Sequence, residues 1–512
     1  MNKIIKYSLW VALLFLISCQ DFLEPKSQSE YVPKLVKSLD ELLLGEVYMG
    51  PGHSDGSFYS VLGIFDDDVA TRPDLGDYDD LYEADMAHIK LAFTWSKNMK
   101  NEFSGYNTYG EVYKKIVGCN AVLDYVDDVQ GSENDKNKVK AQALAFRGYF
   151  YFHLVNLYGK PYSFDRNAPG VPLKLNSGLS ATGMARNTVG EVYEQIIKDL
   201  LEAEHLFSTL PEEERDLQNN RINLPCIQLI LSRAYLYMEN WQQALAYGKK
   251  VIKDHPYEIR DLNSLPLPNR YSGYPECYTH ENPEVIFLFG NQGDVLSLPM
   301  KHINVKEATG WGRRRVVCVA STDLINSYAP SDLRKSHYLT WESIFSGEIP
   351  VYRVPVSKYE VGFNYNINWG TSNGKWGVAF KVTEAYLNAA EAAALLYKET
   401  GKGEYLTQAK DMIDKLRIKR IRDGDFQNTT TTIADDLITL VRSERRRELC
   451  FEHHRWFDLR RYGMEKLRHV WYDKEQRPTE FYLEKNDPGY TLQIPNEAFE
   501  LNPALVQNET RK

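Results

Sequence analysis

The chain has no excess of positive charge. Its formal balance is -9, so no basic patch is available to neutralise a phosphate backbone, and no nucleic-acid partner is expected. Cysteine is scarce, at six in 512 residues. Apart from Cys19, the others are Cys119, Cys226, Cys277, Cys318 and Cys450. Five is an odd number and their spacings match no metal-ligand pattern, which argues against a disulfide framework and against a zinc site. There is no G-x-S-x-G elbow, no H-E-x-x-H and no phosphate-binding glycine loop. A pair of carboxylates suited to glycoside hydrolysis cannot be picked out among 70 acids by sequence. Nothing favours catalysis, so the expectation is a protein that is not an enzyme, with no catalytic residue and no resident metal or cofactor.

Long apolar runs are also missing. The longest near the N-terminus, Tyr7 to Ile17, is about eleven residues, which is signal-peptide length and too short to span a bilayer. Lys3 and Lys6 precede it, and it ends Leu16-Ile17-Ser18-Cys19, which resembles a bacterial lipobox. Residues 1–18 then read as a signal peptide, and Cys19 as the acylated anchor, with several acyl chains giving stable attachment where one would be marginal. Removing Lys3 and Lys6 takes the charge to -9 - 2 = -11. Residues 19–30, polar and turn-forming, read as a tether.

What is present is a large folded core: 43% of the residues are hydrophobic and 12% aromatic, with 34 tyrosines. Apolar residues at helical period mark Tyr106–Val129 and Val139–Tyr158 as a helical hairpin. Thr188 caps a further helix carrying Val192, Ile196 and Leu200. From Pro225 to Pro256 the spacing fits a tetratricopeptide repeat, with Ala234 and Ala244 where two helices approach and Trp241 at the turn. Val378–Tyr397 and Glu404–Arg420 predict another such pair. The fold class expected is therefore mostly α, a scaffold of tetratricopeptide-like helical pairs with an inserted region of loops and short strands.

That inserted region spans residues 257–377, between a helical part at 31–256 and another at 378–512. Its helical period gives way to short runs such as Val285–Phe289 and Val316–Val319. Its loops carry Tyr271, Tyr274, Tyr278, Trp311, Tyr338, Trp341, Tyr352, Tyr365, Trp369 and Trp376. Flat rings on irregular backbone can stack on the C–H faces of sugars, and Tyr274, Trp311, Trp341 and Trp369 are the candidates for that role. The bland alternative is that the rings pin loops to the scaffold. A second stretch, Phe65–Trp95, is rich in acids: Asp66, Asp67, Asp68, Asp74, Asp77, Asp79 and Asp80. These could bind calcium, but the loop spacing of an EF-hand is absent, and solvated acids and helix caps are the favoured reading.

The densest signal is Leu437–Gly463. Read as one helix, it carries Glu444, Glu448 and Glu452 at every fourth position, with Glu444 facing Arg447 and Glu452 facing Arg455 at i,i+3. Together with Glu448 and the apolar Trp456, this reads as a structural lock of paired charges. A metal or acid/base cluster at Glu452, His453 and His454 is the alternative, disfavoured because adjacent helical positions point about 100° apart.

Within this stretch, ERRRELCFEHHRWFDLRRYG resembles the C-terminal signature of the SusD/RagB family of surface nutrient-binding lipoproteins. Further similarity lies in STDLINSYAPSDLRKSHY, KAQALAFRGYFYFHLVNLYG, TVGEVYEQIIKDLLEA and the terminal YTLQIPNEAFELNP, so it covers nearly all of the mature chain. The resemblance implies a lipoprotein on the extracellular face of the outer membrane, which captures an oligosaccharide or polysaccharide for a SusC-like TonB-dependent transporter. Peptide capture in the manner of RagB-like proteins is the alternative, and a surface glycoside hydrolase or a pure repeat scaffold a more distant one. By the same resemblance, the loops before the first long helix contribute to the ligand face, which singles out Arg72, Tyr78 and Trp95.

Overall fold

The computed structural model describes residues 33–48, 59, 62–75, 78, 80–99, 108–179, 182–215, 221–266, 279–289, 302–305, 313–346, 349–356 and 378–511, of which 340–346 and 349–356 are described as backbone. Helices dominate it. In chain order they are α1 (Val36–Glu46), α2 (Glu83–Phe93), α3 (Thr108–Tyr125), α4 (Glu133–Tyr158), α5 (Val189–Thr209), α6 (Leu224–Tyr237) and α7 (Trp241–Asp254). After the short α8 (Thr322–Ser327) and α9 (Arg334–His337) come α10 (Val382–Thr400), α11 (Gly403–Arg417), α12 (Ala434–Leu449), α13 (Arg455–Arg461) and α14 (Asn496–Leu501).

Side chains at the helix starts satisfy donors that a first turn leaves open. Ser132 accepts the Asp135 N–H at the head of α4. Thr188 and Glu191 make a complete capping box on α5. Asn223 and Asn240 cap α6 and α7. At the other end of α10, Gly401 adopts φ 68°, a left-handed stop that costs glycine little.

The helices stack in series: α3 on α4, α4 on α5, α5 on α6 and α6 on α7, after which α7 packs on α10, and α10 carries both α11 and α12. The stack thus passes from Asp254 to Val382 as though the intervening chain were an insertion. Close packing at this junction depends on small residues. Ala385, Ala389, Ala392 and Ala393 of α10 are fully buried, and a β-carbon on Gly248 of α7 would lie 3.0 Å from the Ala385 carbonyl oxygen. Every residue of α4 from Ala141 to Tyr158 is buried, so this helix forms the centre of the core rather than one of its faces.

The strands are short: β1 (Val69–Thr71), β2 (Val285–Phe289), β3 (His302–Val305), β4 (Arg313–Val316), β5 (Cys318–Ala320), β6 (Thr340–Ser346), β7 (Ile349–Val356), β8 (Val378–Lys381), β9 (Leu467–Tyr472) and β10 (Pro478–Leu483). They pair antiparallel as β1/β5, β2/β8, β3/β4, β6/β7 and β9/β10. The pairing of β2 with β8 closes the base of the insertion, with Lys381 opposite Val285 and Phe380 opposite Phe287. Sequence periodicity carries the helix of this region back to Val378, but residues Val378–Lys381 are extended, because β2 offers them a ladder and the helix begins only once that ladder ends.

Candidate functional site

The signature stretch is two helices, not one. The chain leaves helical geometry at Cys450, and Phe451 and His453 adopt φ 61° and 64° before α13 begins at Arg455. This break sends neighbouring charges to different partners. Glu444 and Glu448, one turn apart on α12, meet buried arginines: Arg334 reaches Glu444 at 2.6 Å and Glu448 at 3.4 Å, and Arg420 grips Glu448 at 2.8 and 2.9 Å. Arg420 also reaches Glu284 at 2.5 Å. Arg447 closes on Glu444 at 2.8 Å, as i,i+3 spacing on one helix permits. Glu452 and Arg455 lie across the break and pair elsewhere, Glu452 with the buried Lys381 at 2.7 Å and Arg455 with Asp67 at 2.6 and 2.8 Å. The expected Glu452–Arg455 pair gives way to these. Trp456 is fully buried, stacked on Tyr490 and tilted against Phe65.

Electrostatics keep the network ionised. Burial pushes the Glu444 carboxyl up, but Arg334 and Arg447 outweigh it and hold the group at about 2. Glu448 is likewise held well below the usual carboxylate range: burial opposes this, and Arg420 and Arg334 prevail. The partners come from the beginning (Glu284), the middle (Arg334) and the end (Lys381) of the insertion and its flanks. Helix α12 and the break that follows it therefore fasten the loop-rich region to the stack at several points.

The acidic stretch is fastened to the same place. Asp68 is 1% exposed and receives Arg446 Nε at 2.7 Å, while Asp67 takes Arg455. Asp66 is buried too, and burial together with Asp68 and Asp67 pushes its carboxyl well above the usual range. Asp66 and Asp68 are thus buried and Asp67 half-buried, not solvated as the sequence led one to expect; Asp67 and Asp68 meet the guanidiniums of α12 and α13, and Asp66 accepts the Asp68 N–H. Among the described residues no group of three or more His, Cys, Asp or Glu is arranged to hold a metal ion.

Arg72, Tyr78 and Trp95 belong to the interior rather than to an open ligand face. Trp95 is 2% exposed and sits at φ 51°, a conformation uncommon for a bulky residue, held there by its Nε1–H on the Phe65 carbonyl at 3.0 Å and by stacking on His469. Arg72 is 2% exposed with Nη1 on the Val316 carbonyl side. Tyr78 bridges by backbone to Val305 and lies beneath the Lys474 ammonium, 4.5 Å from its ring centre. The physical reason is that Phe65–Trp95 is wedged between the insertion and the β9/β10 hairpin: β1 pairs with β5, and Thr71 donates to the Val470 carbonyl at 2.5 Å. The two stretches singled out in the sequence, Phe65–Trp95 and the insertion, are in this way one continuous region.

Tyr274, Trp311 and Trp369 lie outside the described residues, as does Cys19. Trp341 falls on β6, opposite Pro355 in the hairpin with β7. Sequence reasoning missed Glu284, Arg334, Lys381, Arg420 and His469. Arg334 lies within one of the family-like stretches and pairs with Asp332 two residues before it, but no local pattern reveals that its other partners are 110 and 114 positions away.

The alternative cluster at Glu452, His453 and His454 has little space beside it. With Tyr59, Tyr149 and Arg233 it borders a cavity of about 20 Å³, room for a water molecule and not for a sugar ring. His453 stacks on Tyr59 at 4.8 Å, and burial pushes its imidazole down to about 3. A roomier cleft, about 380 Å³, lies between α1 and α4, but Arg221 is paired there with Asp40 and Lys138 with Glu214.

Comparison with known proteins accounts for this arrangement. A family described as "Starch-binding associating with outer membrane" matches residues 59–236, and one described as "SusD family" matches residues 347–510. SusD-like protein P2 of Formosa agariphila is 25% identical over 383 residues, 69% of this chain and 70% of that protein. A second SusD-like protein of that organism is 22% identical over 99% of this chain and 98% of its own length. Among solved structures, a putative sugar binding protein from Bacteroides vulgatus superposes with a TM-score of 0.68 at 23% identity, covering 94% of this chain and all of that one. The surface glycan-binding protein A from Bacteroides uniformis does so with a TM-score of 0.62 at 19% identity, over 92% of this chain and 99% of its own. With the helical stack before the insertion and the locked region after it each matched by a description of the same kind, and the fold shared from end to end, the chain belongs to the SusD/RagB family.

Proposed function

We propose that this protein is a cell-surface receptor that binds an oligosaccharide or polysaccharide without cleaving it, and passes it to a SusC-like TonB-dependent transporter in the outer membrane. The observation that carries this reading is the aromatic-rich insertion, residues 257–377, whose base is closed by β2/β8, which Arg334 ties to α12 directly and Glu284 through Arg420, and at whose end Lys381 pairs with Glu452 just beyond α12. A rigid support of that kind suits loops that must hold rings in place for stacking, since pre-ordering them lowers the entropic cost of binding. The names of relatives point the same way, as sugar-binding and glycan-binding proteins, and one matching family is described as associating with the outer membrane.

Cys19 is the proposed acylation site, residues 19–30 the tether, and 31–256 with 378–512 the two halves of the scaffold. Among the described residues no helix is long and apolar enough to cross a membrane. A non-enzymatic role is supported by the use of the buried acids: Glu384, Glu391, Glu444, Glu448 and Asp458 are each paired with arginine.

Calorimetry and affinity electrophoresis against a glycan panel test the reading. The expected result is saturable binding of at least one glycan, with no shorter products after prolonged incubation. Binding confined to peptides, or chain shortening abolished by a carboxylate substitution, would overturn it.

A further inference from the structure

His469, on β9, is held on four sides. Its ring lies between those of Phe93 and Trp95, 4.1 Å from each centre and inclined by only 18° and 22°. In the plane of the ring, Nδ1 is 2.6 Å from the Phe93 carbonyl oxygen and Nε2 is 2.9 Å from the Asp66 carbonyl oxygen. A carbonyl oxygen can only accept. A neutral imidazole has one N–H and one bare nitrogen, so either tautomer would set a nitrogen lone pair against an oxygen lone pair at hydrogen-bonding distance in a buried site. Only the doubly protonated ring supplies a donor to each oxygen.

We infer that His469 is carried in the folded protein as an imidazolium cation sandwiched between two aromatic faces, and that it acts as a pH-sensitive latch holding the 65–95 stretch on the β9/β10 hairpin. The latch spans the stretch at both ends. Asp66 lies just before β1 and Phe93 at the end of α2, and one ring joins their carbonyls to β9.

The charges around the ring are of both signs. Asp67 is the carboxylate whose charge favours the cation, and it is shared with Arg446 and Arg455. Behind Trp95, Arg511 donates to the Trp95 carbonyl, and Lys90 lies over the ring of Trp471. Burial is the largest influence on the imidazole and, set against the upward pull of the Phe93 and Asp66 carbonyls and of Asp67, would bring it down to about 4. The π-faces of Phe93 and Trp95 add attraction for a cation on both sides, and the repulsion that a bare nitrogen would meet disfavours the neutral ring further. Both effects act upward against that burial, and the inference rests on the two carbonyl acceptors that face the two ring nitrogens. The sign follows: the stabilisation is complete below the unfolded value and is lost as pH rises through the folded one.

The test is the ring-nitrogen spectrum of the full chain labelled with ¹⁵N-histidine, followed from about pH 5 to pH 9. The His469 signals are identified by their contact with the Trp95 indole and by their absence in His469→Phe, which keeps a flat ring and removes both donors. Two protonated ring nitrogens at neutral pH are expected, with a titration midpoint above 6.5. Above that midpoint, hydrogen exchange in residues 65–95 of the wild type should quicken at least severalfold, with no such pH step in His469→Phe. One bare ring nitrogen at neutral pH, or exchange in 65–95 indifferent to the titration, would overturn the inference. Should His469→Phe fail to fold, the wild-type spectrum and exchange profile decide alone.

Discussion

Arg420 and Glu448 face one another through two parallel hydrogen bonds, Nε to Oε2 at 2.9 Å and Nη2 to Oε1 at 2.8 Å, with both side chains wholly removed from water. Glu448 also faces Arg334, and Arg420 also reaches Glu284, so Glu448 is shared by two buried guanidiniums whose other partners are Asp332 and Glu444 for Arg334 and Glu284 for Arg420. Glu448→Ala would leave both under-compensated in a low-dielectric interior. A loss of about 3 to 5 kcal/mol in unfolding free energy is expected, read from the urea midpoint at unchanged slope. A midpoint that scarcely moves would mean the remaining acids carry the network without it.

The same buried acids predict an acid limb of stability. Burial pushes Glu391 up, but Arg461 and Arg442 prevail and hold it at about 2, and Glu444 is also at about 2, against ordinary values of 4.5. Because the folded values lie below the unfolded ones, this stabilisation is fully present above about pH 4.5 and disappears as pH falls toward 2. It amounts to roughly 3 kcal/mol for each group. Unfolding free energy measured across that window should fall steeply for the wild type, and less steeply for Glu391→Gln, whose side chain cannot titrate. An equal slope in both would count against Glu391 as a contributor.

Trp95 and Trp341 are expected to respond oppositely to truncation. Trp95→Ala removes a ring packed on His469 and hydrogen-bonded to Phe65, and should cost about 3 to 5 kcal/mol of stability. Trp341→Ala, in the insertion, should leave the melting temperature nearly unchanged and weaken glycan binding by about 2 kcal/mol or more, some thirtyfold. Trp311→Ala is a second variant of that kind. Circular dichroism and calorimetry on one set of preparations read both effects, and a Trp341→Ala protein that melts early but binds normally would assign that ring to loop packing.

Cys19→Ala should yield exported protein that is no longer anchored. Fractionation of cells lacking the transporter is the measurement, since a partner could retain the variant. Recovery of Cys19→Ala in the membrane fraction of such cells would count against acylation there.

Much of the scaffold was legible in the chain because its causes are local. The apolar period of α5, the Thr188–Glu191 box, and the alanines of α6, α7 and α10 all act within a few residues of themselves, and the tetratricopeptide spacing from Pro225 to Pro256 follows from packing between sequence neighbours. What only the tertiary structure decided is where the charges go. Arg455 finds Asp67 across 388 positions, and Glu448 finds Arg420 across 28 and Arg334 across 114. An ion pair between distant segments leaves no periodic trace in sequence, and any arginine is chemically suited to any acid, so the break at Cys450–His454 that parts Glu452 from Arg455 could not be read from spacing. Trp95 shows the same limit. Its ring is equally suited to a sugar or to a buried histidine, and the folding of the hairpin around it makes the choice.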